Sequence, residues 1–291
     1  MRELRILRNV TVLENAAALD PLIGRVRQAF NAVVRPRPVR DVLHGVPVGH
    51  AVHPVAVLLP IGAWLGSAVL DFVPGSEKAS RVLVGAGIAG VLPSVATGLT
   101  DWSELHEQQM RVGIVHAATN TVATVLYTAS FVQRSRGRQT SGRMLGLAGL
   151  AAVGLSGYLG GHLAYRQAAA VNHTEDVPHR FPAGWQQLGA LDDFADDELV
   201  ERTVAGVPLL VVRDGERVDV LANACSHLSG PLSEGRLVLE SGERCVVCPW
   251  HASVFALDSG EVVHGPATAP QPRFETRITA GRIDVLLEGA G

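Results

Sequence analysis

The sequence predicts a multidomain chain, with an N-terminal all-α, four-helix transmembrane bundle followed by a C-terminal all-β domain. Three observations predict it. Four apolar runs, each near the length of a bilayer crossing, precede residue 165. A stretch of alternating apolar and polar residues broken by turn signals follows them. Within that stretch stand two short cysteine–histidine pairs, Cys225 with His227 and Cys248 with His251.

With 291 residues the chain can hold two domains. Its 47% hydrophobic and 18% charged content argues against a purely soluble protein. The net charge is −3 and Lys78 is the sole lysine, so there is no basic footprint for nucleic acid.

The apolar runs cover Val52–Val73, Val82–Thr100, Val112–Val132 and Met144–Leu163. Polar stretches such as PGSEK (74–78) and QRSRGRQTSGR (133–143) bound them. A soluble bundle would show a charged face at every turn, but no charge occurs between Val55 and Leu70. Small residues at Ala86 and Gly90, and at Ala152, Ser156 and Gly160, suit close helix approach. Pro60 and Pro93 are expected to kink their spans, or to sit where a neighbouring helix satisfies the freed backbone. Ahead of the spans, residues 1–51 include LDPLIGRVRQAFNAVV (Leu19 to Val34), amphipathic enough to lie on a membrane or pack on the β domain. The expected order is thus segment 1–51, membrane domain 52–165, linker 166–181 and β domain 182–288.

Four antiparallel crossings would bring the starts of the first and third spans to the side where the second and fourth end. That groups His53, Asp101, His116 and His162, with Asn120 one helical turn after His116. Polar groups converging inside a bundle mark a cofactor, a proton path or a quinone site. The plain alternative is wetted or internally hydrogen-bonded histidines. If haem b is bound, His53 and His116 are the first choice of ligands, with His162 as substitute.

Two thiolates and two imidazoles suit a [2Fe–2S] centre in which each iron takes one kind of donor. Structural zinc is the competing reading of a Cys2His2 set. The flanking sequence CPWHASVF, a glycine turn and GPA decide between them, because from about Phe181 to Glu288 the chain resembles the Rieske ferredoxin type. The resemblance implies that Cys225 and Cys248 hold one iron, and His227 and His251 the other. Two departures stand out: the gap of twenty residues between His227 and Cys248 is long, and Ala252 replaces a common glycine. A longer hairpin around Glu240 to Glu243 would absorb the first.

Relatives from cytochrome bc complexes carry a disulfide at places held here by Gly230 and Trp250, and Cys245 lacks a partner cysteine. Ser253 matches the family's serine, whose hydroxyl bonds the cluster, while Phe255 replaces the tyrosine of the high-potential branch. The midpoint potential is therefore expected in the lower Rieske range, roughly −150 to +100 mV. The membrane segment in turn resembles an uncharacterised bacterial four-helix domain, through HPVAVLLPIGAWL, TGLTDW, HAATN and GYLGGHLAYR.

The function expected is a membrane-anchored electron carrier that exchanges one electron with a redox partner protein or a quinone. It reads as a component of an oxidoreductase system more than as a stand-alone enzyme. A membrane redox sensor is the alternative. No 2-His-1-carboxylate catalytic domain follows the motif, which argues against a terminal oxygenase. Without a visible export signal, the β domain is expected on the cytoplasmic side of a bacterial cytoplasmic membrane.

Overall fold

The structure, a computed structural model, describes residues 5–287. It divides into two units. The helical unit comprises the chain up to Arg35 together with Val52–Ala169, and the β unit comprises Pro36–Ala51 and the chain from Ala170. The segment before the spans is therefore shared between the units.

The helical unit contains α1 (Arg5–Glu14) and α2 (Asp20–Val33). The helix α3 (Arg37–His44) belongs to the β unit. The chain then returns as α4 (His53–Ala56), α5 (Leu58–Leu70), α6 (Glu77–Trp102), α7 (Glu107–Ser135) and α8 (Gln139–Gly161), which ends in a π turn at His162–Arg166. Pro60 explains the break between α4 and α5. It has no N–H to give the carbonyl of Ala56, and the Ser94 hydroxyl of α6 donates to that oxygen instead at 3.0 Å.

Three helical stretches among the described residues are long and apolar enough to cross a bilayer, His53–Leu70, Glu77–Trp102 and Gln139–Arg166, rather than the four expected. The third expected span lies in α7, which has the length but not the composition. His116, Asn120 and four threonines dilute its apolar surface. Those threonines turn their hydroxyls onto carbonyls one turn back, as Thr119 does to Val115 at 2.8 Å and Thr124 to Asn120 at 2.8 Å, so the polarity is satisfied within the helix.

The bundle is an internal repeat. Residues 53–71 correspond to 116–134, and 77–100 to 139–162. Eight of the 24 positions in the second pair are identical, including Gly87/Gly149, Ser94/Ser156 and Gly98/Gly160. Contacts repeat with the sequence. Ser80 donates to the carbonyl of Ser67 at 3.1 Å, and at the equivalent places Ser130 donates to the carbonyl of Gly142 at 2.6 Å. Equivalent residues also meet one another. Trp64 stacks on Tyr127 with ring centroids 4.1 Å apart and planes 7° from parallel, and Asp71 pairs with Arg134 through two contacts of 2.6 Å. Each aromatic lies where its own hairpin offers a glycine: a Cβ at Gly87 would strike Trp64, and one at Gly149 would sit 2.8 Å from Tyr127.

In the β unit, α9 (Val177–Arg180) precedes, among the described residues, ten strands: β1 (Gln186–Ala190), β2 (Val200–Val204), β3 (Val207–Asp214), β4 (Arg217–Ala222), β5 (Arg236–Glu240), β6 (Glu243–Val247), β7 (Val254–Ala256), β8 (Val262–His264), β9 (Arg273–Thr279) and β10 (Arg282–Leu286). They form a six-stranded sheet, β1-β10-β9-β4-β3-β2, and a four-stranded one, β5-β6-β7-β8. Two-residue turns join several hairpins. Ala205-Gly206, Ser241-Gly242 and Ala280-Gly281 all have positive φ, the backbone that matches strand twist. The Ser241-Gly242 turn closes the hairpin that takes up the long gap between the ligand pairs.

Strand β3 is buried on both faces. Leu209 and Val211 face a core with Phe194, Phe274 and Ile283. Leu210 and Val212 face a second core with Leu232, Val246 and Phe255, which includes Cys225 and Cys248.

Candidate functional site

Two loops carry the cysteine–histidine pairs. The first leaves β4, and the Cys225 amide donates to the carbonyl of Gly230 at 2.8 Å while Ser229 N–H donates to the carbonyl of Cys225 at 2.8 Å. The second joins β6 to β7, closed by Cys248 N–H to the carbonyl of Ser253 at 2.8 Å and Ala252 N–H to that of Cys248 at 3.1 Å. Ala252 has φ 59°, so the familiar glycine there is a response to left-handed backbone.

A third segment braces the first loop. The Gln271 side chain, 2% exposed, accepts from Ser226 N–H at 3.0 Å and donates to the carbonyls of Ala222, at 2.7 Å, and Ala224. The Ser226 hydroxyl donates to the carbonyl of Ala269 at 2.8 Å. Sequence reasoning missed Gln271, whose only signal is a lone amide in a proline-rich stretch.

The loops press together at Gly230, where a Cβ would lie 2.9 Å from Cys248 Sγ and 3.0 Å from the Trp250 ring. Gly230 and Trp250, which hold the places of the absent disulfide, thus do meet. All three cysteines are free and buried. Cys245 lies apart from the pairs, in a small core with Val247, Val254 and Ala256.

The four donors come as two like pairs. The Cys225 and Cys248 thiols share a hydrogen bond that pushes Cys248 down to about 7, helped by the amides of Trp250 and His251, and raises Cys225. The imidazoles of His227 and His251 stand 5.1 Å apart at 87°. A tetrahedral ion would draw four donors to one point, and among the described residues no three His, Cys, Asp or Glu side chains gather in that way. Two thiols beside each other and two imidazoles beside each other instead fit the two irons of a [2Fe–2S] group. Ser253 is fully buried and its oxygen accepts from Ala267 N–H at 3.0 Å. Its own proton stays available to a further acceptor.

Both flanking segments grip this unit. His173 N–H donates to the carbonyl of Ser226, between Cys225 and His227, at 2.9 Å. Asp41 of α3 takes His264 Nδ1 at 2.8 Å and Gly265 N–H at 3.0 Å.

The four polar residues expected at one end of the bundle separate into a pair and its surroundings. His53 Nδ1 lies 3.0 Å from the carbonyl of Ser94, and His116 Nδ1 lies 2.8 Å from that of Ser156. The two rings are within Coulombic reach of each other, and Asp101 is within reach of His53. His162 goes elsewhere, its Nε2 meeting Glu14 of α1 at 2.6 Å.

Comparison with known proteins places both segments. Residues 184–275 match the family described as "Rieske [2Fe-2S] domain", and residues 49–173 match that described as "Predicted membrane protein (DUF2231)". The anthranilate 1,2-dioxygenase ferredoxin subunit of Burkholderia cepacia is 35% identical over 103 residues, covering 35% of this chain and 92% of the relative. Ferredoxin CarAc of Metapseudomonas resinovorans is 32% identical, covering 29% of this chain and 76% of its own. Among solved structures, the ferredoxin of carbazole 1,9a-dioxygenase from Nocardioides aromaticivorans IC177 matches with 27% identity and a TM-score of 0.32, covering 35% of this chain and 96% of that one.

Proposed function

Because the chain belongs to the Rieske [2Fe–2S] domain family through residues 184–275 and carries a DUF2231 membrane-protein domain at 49–173, we propose that it is a membrane-anchored one-electron carrier. The observation that carries this reading is that two loops bring their cysteines together as one pair and their histidines together as another. Cys225 and Cys248 would hold one iron, His227 and His251 the other, with Ser253 offering its hydroxyl proton to a sulfur. When bound, a cluster of this kind takes up and releases one electron. Burial of Cys225, Cys248 and His227 excludes water from the donors, while His251, only partly buried, would be the donor nearest to a docking partner.

The membrane domain would keep the carrier at the bilayer, as four crossings over residues 52–165 in a bacterial cytoplasmic membrane with the Rieske domain on the cytoplasmic side. The partner class is a soluble oxidoreductase or a membrane quinone. The identity to a dioxygenase ferredoxin subunit favours the former. Haem b in the bundle, held by its histidines, would give the chain a second redox group.

Spectroscopy on the full-length protein in detergent tests the reading. A Rieske-type EPR signal on reduction, lost in Cys248→Ser, is expected. A colourless protein that binds zinc in place of iron would overturn it.

A further inference from the structure

The repeat places His53 and His116 at equivalent positions, and the Nδ1 side of each ring is held in the same way. Each imidazole is clamped to the other helix of its own hairpin: His53 Nδ1 by the carbonyl of Ser94, and His116 Nδ1 by that of Ser156. Four residues on from each serine comes a glycine that makes room for the ring. A Cβ at Gly98 would lie 2.7 Å from His53 Cε1, and one at Gly160 would lie 3.2 Å from His116 Cε1.

A carbonyl oxygen can only accept, and the hydroxyls that also reach each Nδ1, Thr97 at 3.3 Å and Ser156 at 2.9 Å, donate to carbonyls of their own, so Nδ1 carries the proton in both rings and Nε2 keeps its lone pair. An outer carbonyl that fixes the tautomer in this way is the usual support of a metal-ligating histidine. A neutral Nε2 has no proton to offer a quinone carbonyl, which disfavours an oxidised quinone as the occupant. At His116, Nε2 now takes the Asn120 amide at 3.1 Å, a neutral hydrogen bond within one helix that a metal bond readily replaces.

Each half thus supplies one imidazole with an Nε2 lone pair, from positions that the repeat makes equivalent, and the two rings lie within Coulombic reach of each other. A bare ion would need further donors, and among the described residues no third His, Cys, Asp or Glu joins them. A haem iron needs only two, because the porphyrin supplies the other four. We infer that the bundle binds one haem between its halves, with His53 and His116 as axial ligands through Nε2. Ser94, Ser156, Gly98 and Gly160 position the rings without touching the iron. The carrier reading lends this site its purpose, but the site stands on the bundle alone.

The test uses full-length protein purified in detergent from cells supplied with a haem precursor, read by pyridine haemochrome assay and reduced-minus-oxidised absorption. About one haem b per chain is expected, with a low-spin bis-imidazole spectrum. His53→Gly and His116→Gly should lose the Soret band, and added imidazole should restore it, which distinguishes lost ligation from failed folding. His162→Ala should keep the band. Protein without haem, or full haem content in the His53→Gly/His116→Gly double variant, would overturn the inference, as would co-purified quinone in place of haem. The Rieske EPR signal of the same sample reports on the cluster separately, so failure of one site is not mistaken for failure of the other.

Discussion

Asp71 and Arg134 occupy equivalent positions in the two halves of the bundle and close a bidentate ion pair, both oxygens at 2.6 Å, with the arginine side chain 1% exposed. Ser80 gives Asp71 a further hydrogen bond at 2.8 Å, Ser130 accepts from Arg134 at 3.1 Å, and Arg143 of α8 lies 4.0 Å from Asp71, so residues of both hairpins meet there. Removing Arg134 leaves the buried Asp71 charge with only the more distant Arg143, at 4.0 Å, to offset it. Arg134→Ala is therefore expected to destabilise by about 3–5 kcal/mol, and Arg134→Ala with Asp71→Ala by clearly less than the two single losses summed. Thermal unfolding in detergent, run as a double-mutant cycle, measures this coupling.

At the cluster loops, Ala252 and Gly230 call for opposite substitutions. Ala252 holds φ 59°, a conformation that costs a non-glycine residue roughly 1 kcal/mol. Ala252→Gly should raise the unfolding midpoint and leave the EPR spectrum unchanged. Gly230→Ala should block cluster insertion, because its Cβ would meet Cys248 Sγ at 2.9 Å. Thermal unfolding and EPR check the first statement, and iron content the second.

The potential should answer to hydroxyls. A midpoint of roughly −150 to +100 mV is expected for the native protein. Ser253→Ala should lower it by about 40 mV, the equivalent of one hydrogen bond of ~1 kcal/mol. Phe255, fully buried in the core that holds both cysteines, should raise it as Phe255→Tyr. Redox titration followed by EPR reads each shift.

The helix α2 is held by charge. Arg111 grips both oxygens of Asp20 at 2.7 Å and the carbonyl of Glu14 at 3.1 Å. The arginine's hydrogen bonds hold the Asp20 carboxyl below its ordinary value of 3.8. A depressed carboxyl stabilises the fold above that ordinary value and loses its contribution as pH falls through the lower, folded one. Protection of the α1 and α2 amides, taken relative to the intrinsic exchange rate at each pH, should thus fall below about pH 4, and Asp20→Asn should show the lower protection, hence faster exchange, already at pH 7. Equal exchange in the two proteins at neutral pH would count against the clamp.

Much of the β unit was legible because its signals are local. Asp214 and Gly215 mark the turn between β3 and β4, and the four cluster donors lie in two short motifs. The gripping of Ser226 by His173 and of Gly265 by Asp41 was not legible, since those partners lie tens to hundreds of residues apart with no pattern linking them. In the bundle, grouping His53 with His116 followed from span topology alone. His162 leaves that group because Glu14, far away in sequence, takes its Nε2. The repeat was hidden by its first helices, where only His53, Ser67 and Val69 recur. The second helices carry it through small residues, which composition reads only as close packing.

The pairing of Asp71 with Arg134 also bears on how such a bundle can arise. Two identical two-helix hairpins assembled in the same way would bring aspartate against aspartate, or arginine against arginine, in a buried site where like charges repel. Opposite charges at one equivalent position make each half a partner for the other and a poor partner for itself. The tandem copy is thereby committed: neither half can be given up in favour of a homodimer of the one that remains.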